Sequence, residues 1–541
     1  MATNNVGHKI VLTSDRTLMS EYNGGIFLGF SACVPHGLLP DSIYFSLFCP
    51  SVPINKDGSA KFAPCGLRKI EAALLNMGYK REDIIVAHPD KLEKVVGSNT
   101  KILCISENDP LGMGPATTTF RQLFNGEAYM TIKLKEILNN SAVQKYKPKI
   151  VIGGAGAWQL ENSEVRKTLG IDCVVIGEGE SVIGPLFKRA FDGESLPEVV
   201  QGQIVETPDI PLIADVTIDG IVEIARGCGR GCAFCVPTLQ RFRCVPVENI
   251  LKEVDVNLKA GKRPLLHAED VLRYKANGFE VNTSAVKELF SKVYSQSREH
   301  NHPPGASAIA LSHFALSSVV SAPDLIRDLS DIIELAKGDE WFSGQCGIET
   351  GSPKLIGNLM AGKAKPFEPE EWPRVVEDAF RILNENNWVP LSTLIIGLPG
   401  EENEDVQLTI DLVNKLEKYK SLLVPLFMVE EGGLKGKASS FSIDSISSKQ
   451  SELFLKCWMH NLEWSETLLK EYNVTRGAKG YGLRLFFSYG VKETKKIIKT
   501  CEQEYGYNLP AMIKDAKAGK FAFTSMPLRL MYKVLKPRKN R

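Results

Sequence analysis

From residue 9 to about residue 200, short runs rich in isoleucine and valine alternate with stretches of helical periodicity. The runs KIVLTS (9–14), DIIVAH (83–88), TKILCIS (100–106), KIVIGGA (149–155) and DCVVIG (172–177) have the length and continuity of strands buried on both faces. Between them, CGLRKIEAALLNMG repeats its apolar positions at helical spacing and stops on a glycine, and PDKLEKVVG reads as a further helix. This alternation predicts a parallel sheet covered by helices on both sides. The stretch QGQIVETPDIPLIADVT (201–217) has neither period and reads as a linker, ending the region near residue 205.

A second series follows: GIVEIARG (220–227), PLLHAEDV (264–271), HFALSSVVSAP (313–323), WFSGQCGIETGS (341–352), LSTLIIGLPGE (391–401) and SLLVPLFMV (421–429). Amphipathic helices such as APDLIRDLSDIIELAKG and PEEWPRVVEDAFRILNENN separate these strands. Six strand–helix units predict a barrel or partial barrel of TIM type, with its chemistry at the carboxyl ends of the strands. Beyond about residue 430 the pattern is mainly helical, as in SELFLKCWMHNLEWSETLLKEY. The expected architecture is α/β: a Rossmann-like domain with an N-terminal extension over 1–205, a partial (β/α) barrel over 206–430 and a helical domain over 431–541.

Composition narrows this little. A chain of 541 residues is too long for one core. The net charge of +1 argues against a dominant surface for nucleic acid or anionic membrane. The basic end KVLKPRKNR reads as a solvated charge run. The start has no charged n-region followed by an apolar core, and glycines and prolines break the uncharged stretch 22–40, so a cytoplasmic protein is expected. Twelve scattered cysteines then read as reduced thiols and metal ligands rather than a disulfide framework.

Chemistry concentrates in RGCGRGCAFCVPT, which places Cys228, Cys232 and Cys235 within eight residues with glycines between them. Thiolates converge on one metal centre only from a short, sharply turning loop, and glycine permits the turns. Structural zinc wants four closed ligands, usually from two CxxC-like pairs. Cys244 offers a fourth sulfur, but no second CxxC exists. A 4Fe–4S cluster on three cysteines leaves one iron open to a further ligand. A loop of unligated thiols is the plain alternative.

The CxxxCxxC spacing, with Phe234 before the third cysteine and directly after the first barrel strand, resembles the radical S-adenosylmethionine (SAM) superfamily. LHAEDV stands where that family's second-strand motif meets the SAM amino group. GIETGS is similar to its fourth-strand motif near the ribose and carboxylate, and IIGLPGE to its fifth-strand motif under the adenine. The resemblance implies that Cys228, Cys232 and Cys235 hold the cluster and that Phe234, Glu269, Glu349 and Gly397 border SAM. It further implies reductive cleavage of SAM to methionine and a 5′-deoxyadenosyl radical, with the barrel excluding water and stray hydrogen donors.

The front domain lacks GxGxxG in its first strand–helix turn, so a dinucleotide is not indicated. GGAGAW (153–158) and IGEGES (176–181) place glycines at two later strand ends, where a ligand can lie against the backbone. This pattern resembles the cobalamin-binding domain ahead of many radical SAM enzymes. The resemblance implies that Gly153, Gly154, Gly156, Gly177, Glu178 and Gly179 border the nucleotide tail. It puts the loop SENDPLGMGPATTT, with Asn108, Asp109, Leu111, Thr117 and Thr118, against the corrin ring. DxHxxG is absent, so no histidine–cobalt bond is expected from that source.

The whole resembles the cobalamin-dependent radical SAM methyltransferases. One SAM methylates cob(I)alamin, a second yields the radical, and the substrate carbon takes the methyl group. The phrases LTSDRTLMSEY, FAPCGLRKIEAALL and LHAEDV are most similar to the archaeal branch, one member of which methylates a glutamine α-carbon in methyl-coenzyme M reductase. The implied partners are a protein or peptide substrate and a ferredoxin- or flavodoxin-like one-electron donor, without nucleic acid or membrane. Two other readings stay open: a cobalamin-binding radical SAM oxidoreductase or cyclase, and a non-catalytic iron–sulfur scaffold. His300 and His302 in REHNHPPG form an HxH pair that solvated loop residues or a second metal would both explain.

Overall fold

The structure, a computed structural model, describes residues 5–24, 26–237, 240–337, 341–471, 477–518 and 520. The basic end KVLKPRKNR lies outside the described residues. The chain divides into two compact units, 1–222 with 248–262, and 223–247 with 263–541.

In the first unit six strands form one parallel sheet: β1 (Ile10–Ser14), β2 (Ile84–Val86), β3 (Ile102–Ser106), β4 (Lys149–Gly153), β5 (Cys173–Ile176) and β6 (Val199–Gln201). Their order is β2-β1-β3-β4-β5-β6. Successive side chains of a strand point to opposite faces, and both faces here are buried. Ile10, Leu12, Ile102 and Cys104 join the core under helices Cys65–Asn76 and Ile183–Phe191. Val11, Leu103 and Ile105 join the core under helices Tyr129–Leu138 and Ser141–Tyr146. That is why the strands read as unbroken apolar runs.

Chain order reverses between β1 and β3, which makes their carboxyl ends the topological switch point where open parallel sheets hold ligands. Ser14 and Ser106 are register partners at that edge.

The stretch 201–217 is not a free linker. Gln201 ends β6, Ile213 N–H donates to the Glu253 carboxylate (3.1 Å), and Thr217 N–H donates to Asn257 Oδ1 (3.0 Å). Glu253 also takes the buried Lys69 ammonium. These bonds tie most of helix Val247–Lys259 to the first unit, whose first segment runs to Val222.

The second unit contains a partial barrel. Its strands are β7 (Ile221–Glu223, of which Glu223 lies here), β8 (Ala225–Arg226), β9 (Arg243–Cys244), β10 (Leu265–His267), β11 (Ala310–Leu311), β12 (Phe342–Glu349), β13 (Trp388–Ile396) and β14 (Leu422–Phe427). β10 pairs with β11, β12 with β13 and β13 with β14, all parallel. A single parallel bridge between His313 and Gln345 joins β11 to β12. Ile224 N–H, donating to the His267 carbonyl (2.9 Å), adds the first strand beside β10.

The stretch 313–323, expected as a strand, is mostly helix Leu316–Ser321, and the strand lies upstream at Ala310–Leu311. A short apolar run cannot separate a buried helix turn from a strand. Beyond residue 430 the described chain is mainly helical, as the pattern reads, with helices Ser448–Glu471, Gly477–Tyr505 and Leu509–Lys517 in the second unit. Among the described residues no helix is long and apolar enough to cross a membrane.

Candidate functional site

The cysteine loop is the tip of a hairpin. β8 and β9 pair antiparallel, Ala225 with Cys244 and Arg226 with Arg243, so Cys228 leaves β8 after one residue. Gly227, Gly229 and Gly231 all adopt positive φ (73°, 69° and 78°). At Gly227 a Cβ would also collide with the Arg241 carbonyl. These glycines set the turns between the cysteines, because a side chain disfavours that backbone region.

Neighbouring segments clamp the loop. Cys228 N–H donates to the Pro237 carbonyl (3.1 Å), and the Cys228 carbonyl accepts from Arg273 (3.0 Å). Ala233 N–H donates to the Leu359 carbonyl (2.8 Å) in helix Pro353–Ala364. A Cβ on Gly432 would stand 2.8 Å from Cys235 N, so the segment after β14 lies directly against the third cysteine.

Arg230, between the first two cysteines, is buried and donates to Asp270 Oδ2 (2.8 Å), Ser317 Oγ (3.1 Å), Ser318 Oγ (3.0 Å) and the Gly362 carbonyl (3.0 Å). One guanidinium thereby fixes the loop to the segment after β10 and to two helices. Its fixed fork suits this role better than a lysine would.

Cys232 is buried; Cys228, Phe234 and Cys235 are half-buried. Burial raises the Cys228 and Cys232 thiols, opposed at Cys228 by Arg230 and at Cys232 by Lys363. Lys363 is pulled down by burial, but Glu349 and the sulfurs of Cys232 and Cys235 hold its ammonium charged, with a net shift upward. Its partner Glu349 lies 3.0 Å away and also accepts from Thr393 Oγ1 (3.1 Å).

Glu349 ends β12 with φ of 62°, after a register slip against β13 between Gly347 and Glu349. A non-glycine residue in that region is strained, as residues at functional sites often are. Glu269 lies two residues past β10, and burial raises its carboxyl against the opposing pull of His267.

The three thiols thus share one neighbourhood with Lys363, Arg230, Glu349 and Glu269 at the carboxyl ends of barrel strands. Among the described residues no three His, Cys, Asp or Glu side chains stand together in ligating geometry. Buried thiols beside an ammonium fit a thiolate-bound cluster, since the cation lowers the cost of removing their protons. Sequence reasoning missed Lys363 and Asp270. Arg230 stood inside the motif, but Lys363 lies on a helix well downstream and carries no signal of its own.

Gly397 has a packing reason. Its φ is 83°, its N–H donates to Glu401 (2.9 Å), and a Cβ there would overlap the Phe441 ring.

In the first unit three of the expected slot glycines stand close against loop backbone. A Cβ on Gly154 would meet the Glu107 carbonyl at 2.6 Å, and one on Gly156 would collide with Asn108. A Cβ on Gly177 would stand 2.8 Å from the Gly202 carbonyl. On the Cβ side, Gly154, Gly156 and Gly177 are thus packed against loop backbone, whereas a Cβ on Gly153 would meet only Val175, at 3.7 Å, and one on Gly179 only side chains, Ile70 nearest at 3.2 Å.

Asp109 organises its loop by accepting from Met113 N (2.7 Å), Gly114 N (3.0 Å) and Gln159 Nε2 (2.7 Å), while Leu111 N donates to Gln159 Oε1 (2.9 Å). Thr118 Oγ1 donates to the Met113 carbonyl (3.2 Å), and Glu178 accepts from Val205 N (2.9 Å). Thr117 is buried beside Cys33, whose thiol burial pushes up to about 12.

Buried polar atoms gather at the switch point. Asp15 Oδ2, both carboxylate oxygens of Glu107 and Ser14 Oγ are buried without a partner at full hydrogen-bonding geometry. These acceptors suit a ligand that offers hydrogen-bond donors, and they lie beside Gly154, whose added Cβ would meet Glu107 at 2.6 Å. His300 and His302 follow helix Thr283–Glu299, and no third ligand joins them among the described residues.

No family model matches the chain. An uncharacterized methyltransferase of Pyrococcus horikoshii is 22% identical over 343 residues, covering 58% of this chain and 66% of that protein. An uncharacterized protein of Methanocaldococcus jannaschii is 24% identical over 409 residues, 62% of this chain and 74% of that one. The tRNA-2-methylthio-N(6)-dimethylallyladenosine synthase of Thermotoga petrophila is 26% identical over 298 residues, 54% of this chain and 62% of that enzyme. The chain thus spans less than two thirds of the length of the first and third of these relatives. The radical SAM methyltransferase TsrM from Kitasatospora setae, with cobalamin and a 4Fe–4S cluster bound, aligns with a TM-score of 0.48 at 14% identity, over 79% of this chain and 74% of that one.

Proposed function

We propose that the chain is a cobalamin-dependent radical SAM methyltransferase that moves a methyl group from SAM to an unactivated carbon of a protein or peptide. The α-carbon of a glutamine in methyl-coenzyme M reductase is the candidate site. One observation carries the reading: three cysteines on a glycine-turned hairpin tip meet a buried Lys363–Glu349 pair at the carboxyl ends of barrel strands. Relatives named as a methyltransferase and a methylthio-group synthase are consistent with it.

Cys228, Cys232 and Cys235 would hold a 4Fe–4S cluster, with Lys363 balancing their thiolate charge. Glu269, Glu349 and Phe234 would face SAM, and Gly397 would shape the wall beside it. When bound, the cluster supplies the electron for SAM cleavage and cobalamin supplies the methyl carrier. In the first unit Asp15, Glu107 and the loop from Asn108 to Thr118 would receive cobalamin. Gly153, Gly154, Gly156, Gly177 and Gly179 would keep the loops around it in place, with Glu178 fastening the turn beside them. The protein would work in the cytoplasm with a ferredoxin- or flavodoxin-like donor.

Anaerobic incubation of reconstituted protein with SAM, a strong reductant and the candidate peptide tests the reading. Methyl transfer gives 5′-deoxyadenosine and S-adenosylhomocysteine in comparable amounts. The former alone indicates an oxidoreductase or cyclase, and neither product indicates a scaffold. Failure to take up cobalamin also overturns the proposal. Cys232→Ala should abolish cluster absorbance and all SAM cleavage.

A further inference from the structure

The barrel interior carries a polar group outside the cysteine neighbourhood. His267 ends β10, His313 stands two residues past β11, and Gln345 lies mid-way along β12. The two imidazoles meet edge to face with centroids 5.9 Å apart. Three neighbouring strands therefore bring three hydrogen-bonding side chains together.

Each ring is oriented by one bond. His267 Nδ1 lies 3.0 Å from Ser312 Oγ, which is itself tied to the Ala268 backbone (3.2 and 3.3 Å). His313 Nε2 lies 3.1 Å from Gln345 Oε1. With the Gln345 amide turned to offer Oε1, which can only accept, the proton of a neutral His313 sits on Nε2 and Nδ1 keeps a bare lone pair, the tautomer that the ¹⁵N spectra below read directly. That Nδ1 is buried and has no hydrogen-bond partner. An unpaired buried acceptor is costly, and a ligand's donor would remove that cost.

The bare lone pair itself selects against anions, because an ionised carboxylate only accepts and has no proton to give His313 Nδ1. Glu269 and Glu223 act on His267, and Glu223 is itself paired with Arg226 (2.8 Å). Burial lowers both imidazoles, leaving them neutral hydrogen-bonding groups at pH 7.

Their position points towards the site. Alternation along β12 puts Gln345 and Gly347 on one face, and a Cβ on Gly347 would collide with Glu349 Oε1. His313 and Gln345 therefore face the same interior as Glu349, which the bulge places three β13 rungs away (Leu391 to Leu394), roughly 10 Å at about 3.3 Å per residue.

We propose that His313, positioned by Gln345 and flanked by His267, recognises a neutral substrate group bearing an N–H or O–H donor, such as a carboxamide, and discriminates against carboxylates. The assignment rests on the reading that this barrel binds SAM and a substrate.

The test uses the full chain with its cluster reconstituted and two probes of similar size, N-methylacetamide and acetate. In histidine-¹⁵N spectra, His313 Nδ1 should resonate as an unprotonated nitrogen and move on addition of the amide but not of acetate. His313→Leu should weaken amide binding at least tenfold. His313→Asn, which keeps an acceptor near the Nδ1 position, should recover it to within about threefold. Amide binding unchanged in His313→Leu, acetate binding as well as the amide, or no binding of the amide to the unaltered protein each overturns the proposal. Retained cluster absorbance shows that a variant has folded. Because no SAM is cleaved in this experiment, failure of the methyltransferase reading appears separately, as absent 5′-deoxyadenosine.

Discussion

Asp15 and Glu107 follow the register partners Ser14 and Ser106, so two fully buried carboxyls stand side by side at the carboxyl ends of β1 and β3. Asp15 Oδ1 accepts from Thr17 N and Oγ1 (both 2.6 Å), which favours its ionised form. Neither oxygen of Glu107 has a partner at full hydrogen-bonding geometry, and the polar groups bearing on it most are the carboxyl and backbone of Asp15. Burial raises both carboxyls, and the Asp15 charge raises Glu107 further. Like charges so close and so dry do not both ionise, so the pair holds one proton, mainly on Glu107.

Glu107→Gln tests that proton. A carboxyl with a raised folded value contributes its full stability below its unfolded value near 4.3. It loses that stability as pH rises, by about 1.4 kcal/mol per pH unit until the folded value is reached. The amide is the neutral isostere and removes the penalty. The variant should be more stable at pH 7 by about 1–3 kcal/mol and show a flatter pH dependence. Urea midpoints from pH 4 to 8, followed by amide exchange at β1 and β3, measure it; a less stable variant at pH 7 would show that Glu107 is ionised.

Arg230→Ala strands Asp270, which is 1% exposed, without its guanidinium. Breaking a buried pair on one side costs about 3–5 kcal/mol. The melting temperature should fall and cluster retention during desalting should drop. Arg230→Lys should lie between, since an ammonium keeps the charge but cannot serve Asp270, Ser317, Ser318 and Gly362 together.

Much of the first unit was legible in the sequence because its sheet declares itself locally. β1, β3, β4 and β5 lie within a residue or two of the runs that predicted them, since strands buried on both faces are continuously apolar. The motif cysteines and Glu349 were readable for the same local reason. The rest depends on contacts between distant segments. Lys363 matters only because helix Pro353–Ala364 returns to the cysteine loop, and Glu107 only because β3 pairs with β1. The glycines show how one signal serves two causes. Gly154 and Gly156 mark a close approach as read, but what approaches is the backbone of residues 107 and 108.

Gly397→Ala separates packing from ligand contact at the end of β13. The added methyl would enter the Phe441 ring from a backbone at φ of 83°. A loss of about 1–3 kcal/mol is expected. Phe441→Ala in the same chain should recover part of it, because the clash then has no partner while the backbone strain stays. Thermal unfolding of the two single variants and the double variant gives the coupling. Equal losses with and without Phe441 would place the cost in the backbone alone.

Lys363→Met isolates the ion pair that borders the cysteines. The ammonium lies 3.0 Å from Glu349, and both side chains are largely buried. Methionine keeps the stem's volume but leaves the carboxylate unpaired in a dry site, at a cost of about 3–5 kcal/mol. Adding Glu349→Gln removes that orphan charge, so the double variant should recover more than half of the loss. Urea unfolding of the cluster-free chain reads the pair alone. Iron and sulfide content after reconstitution then reads what Lys363 does for the thiolates. With Glu349 already neutral, any remaining fall in cluster content belongs to the missing cation beside Cys232 and Cys235. If the double variant loads iron as fully as the unaltered protein, Lys363 serves Glu349 and not the cluster.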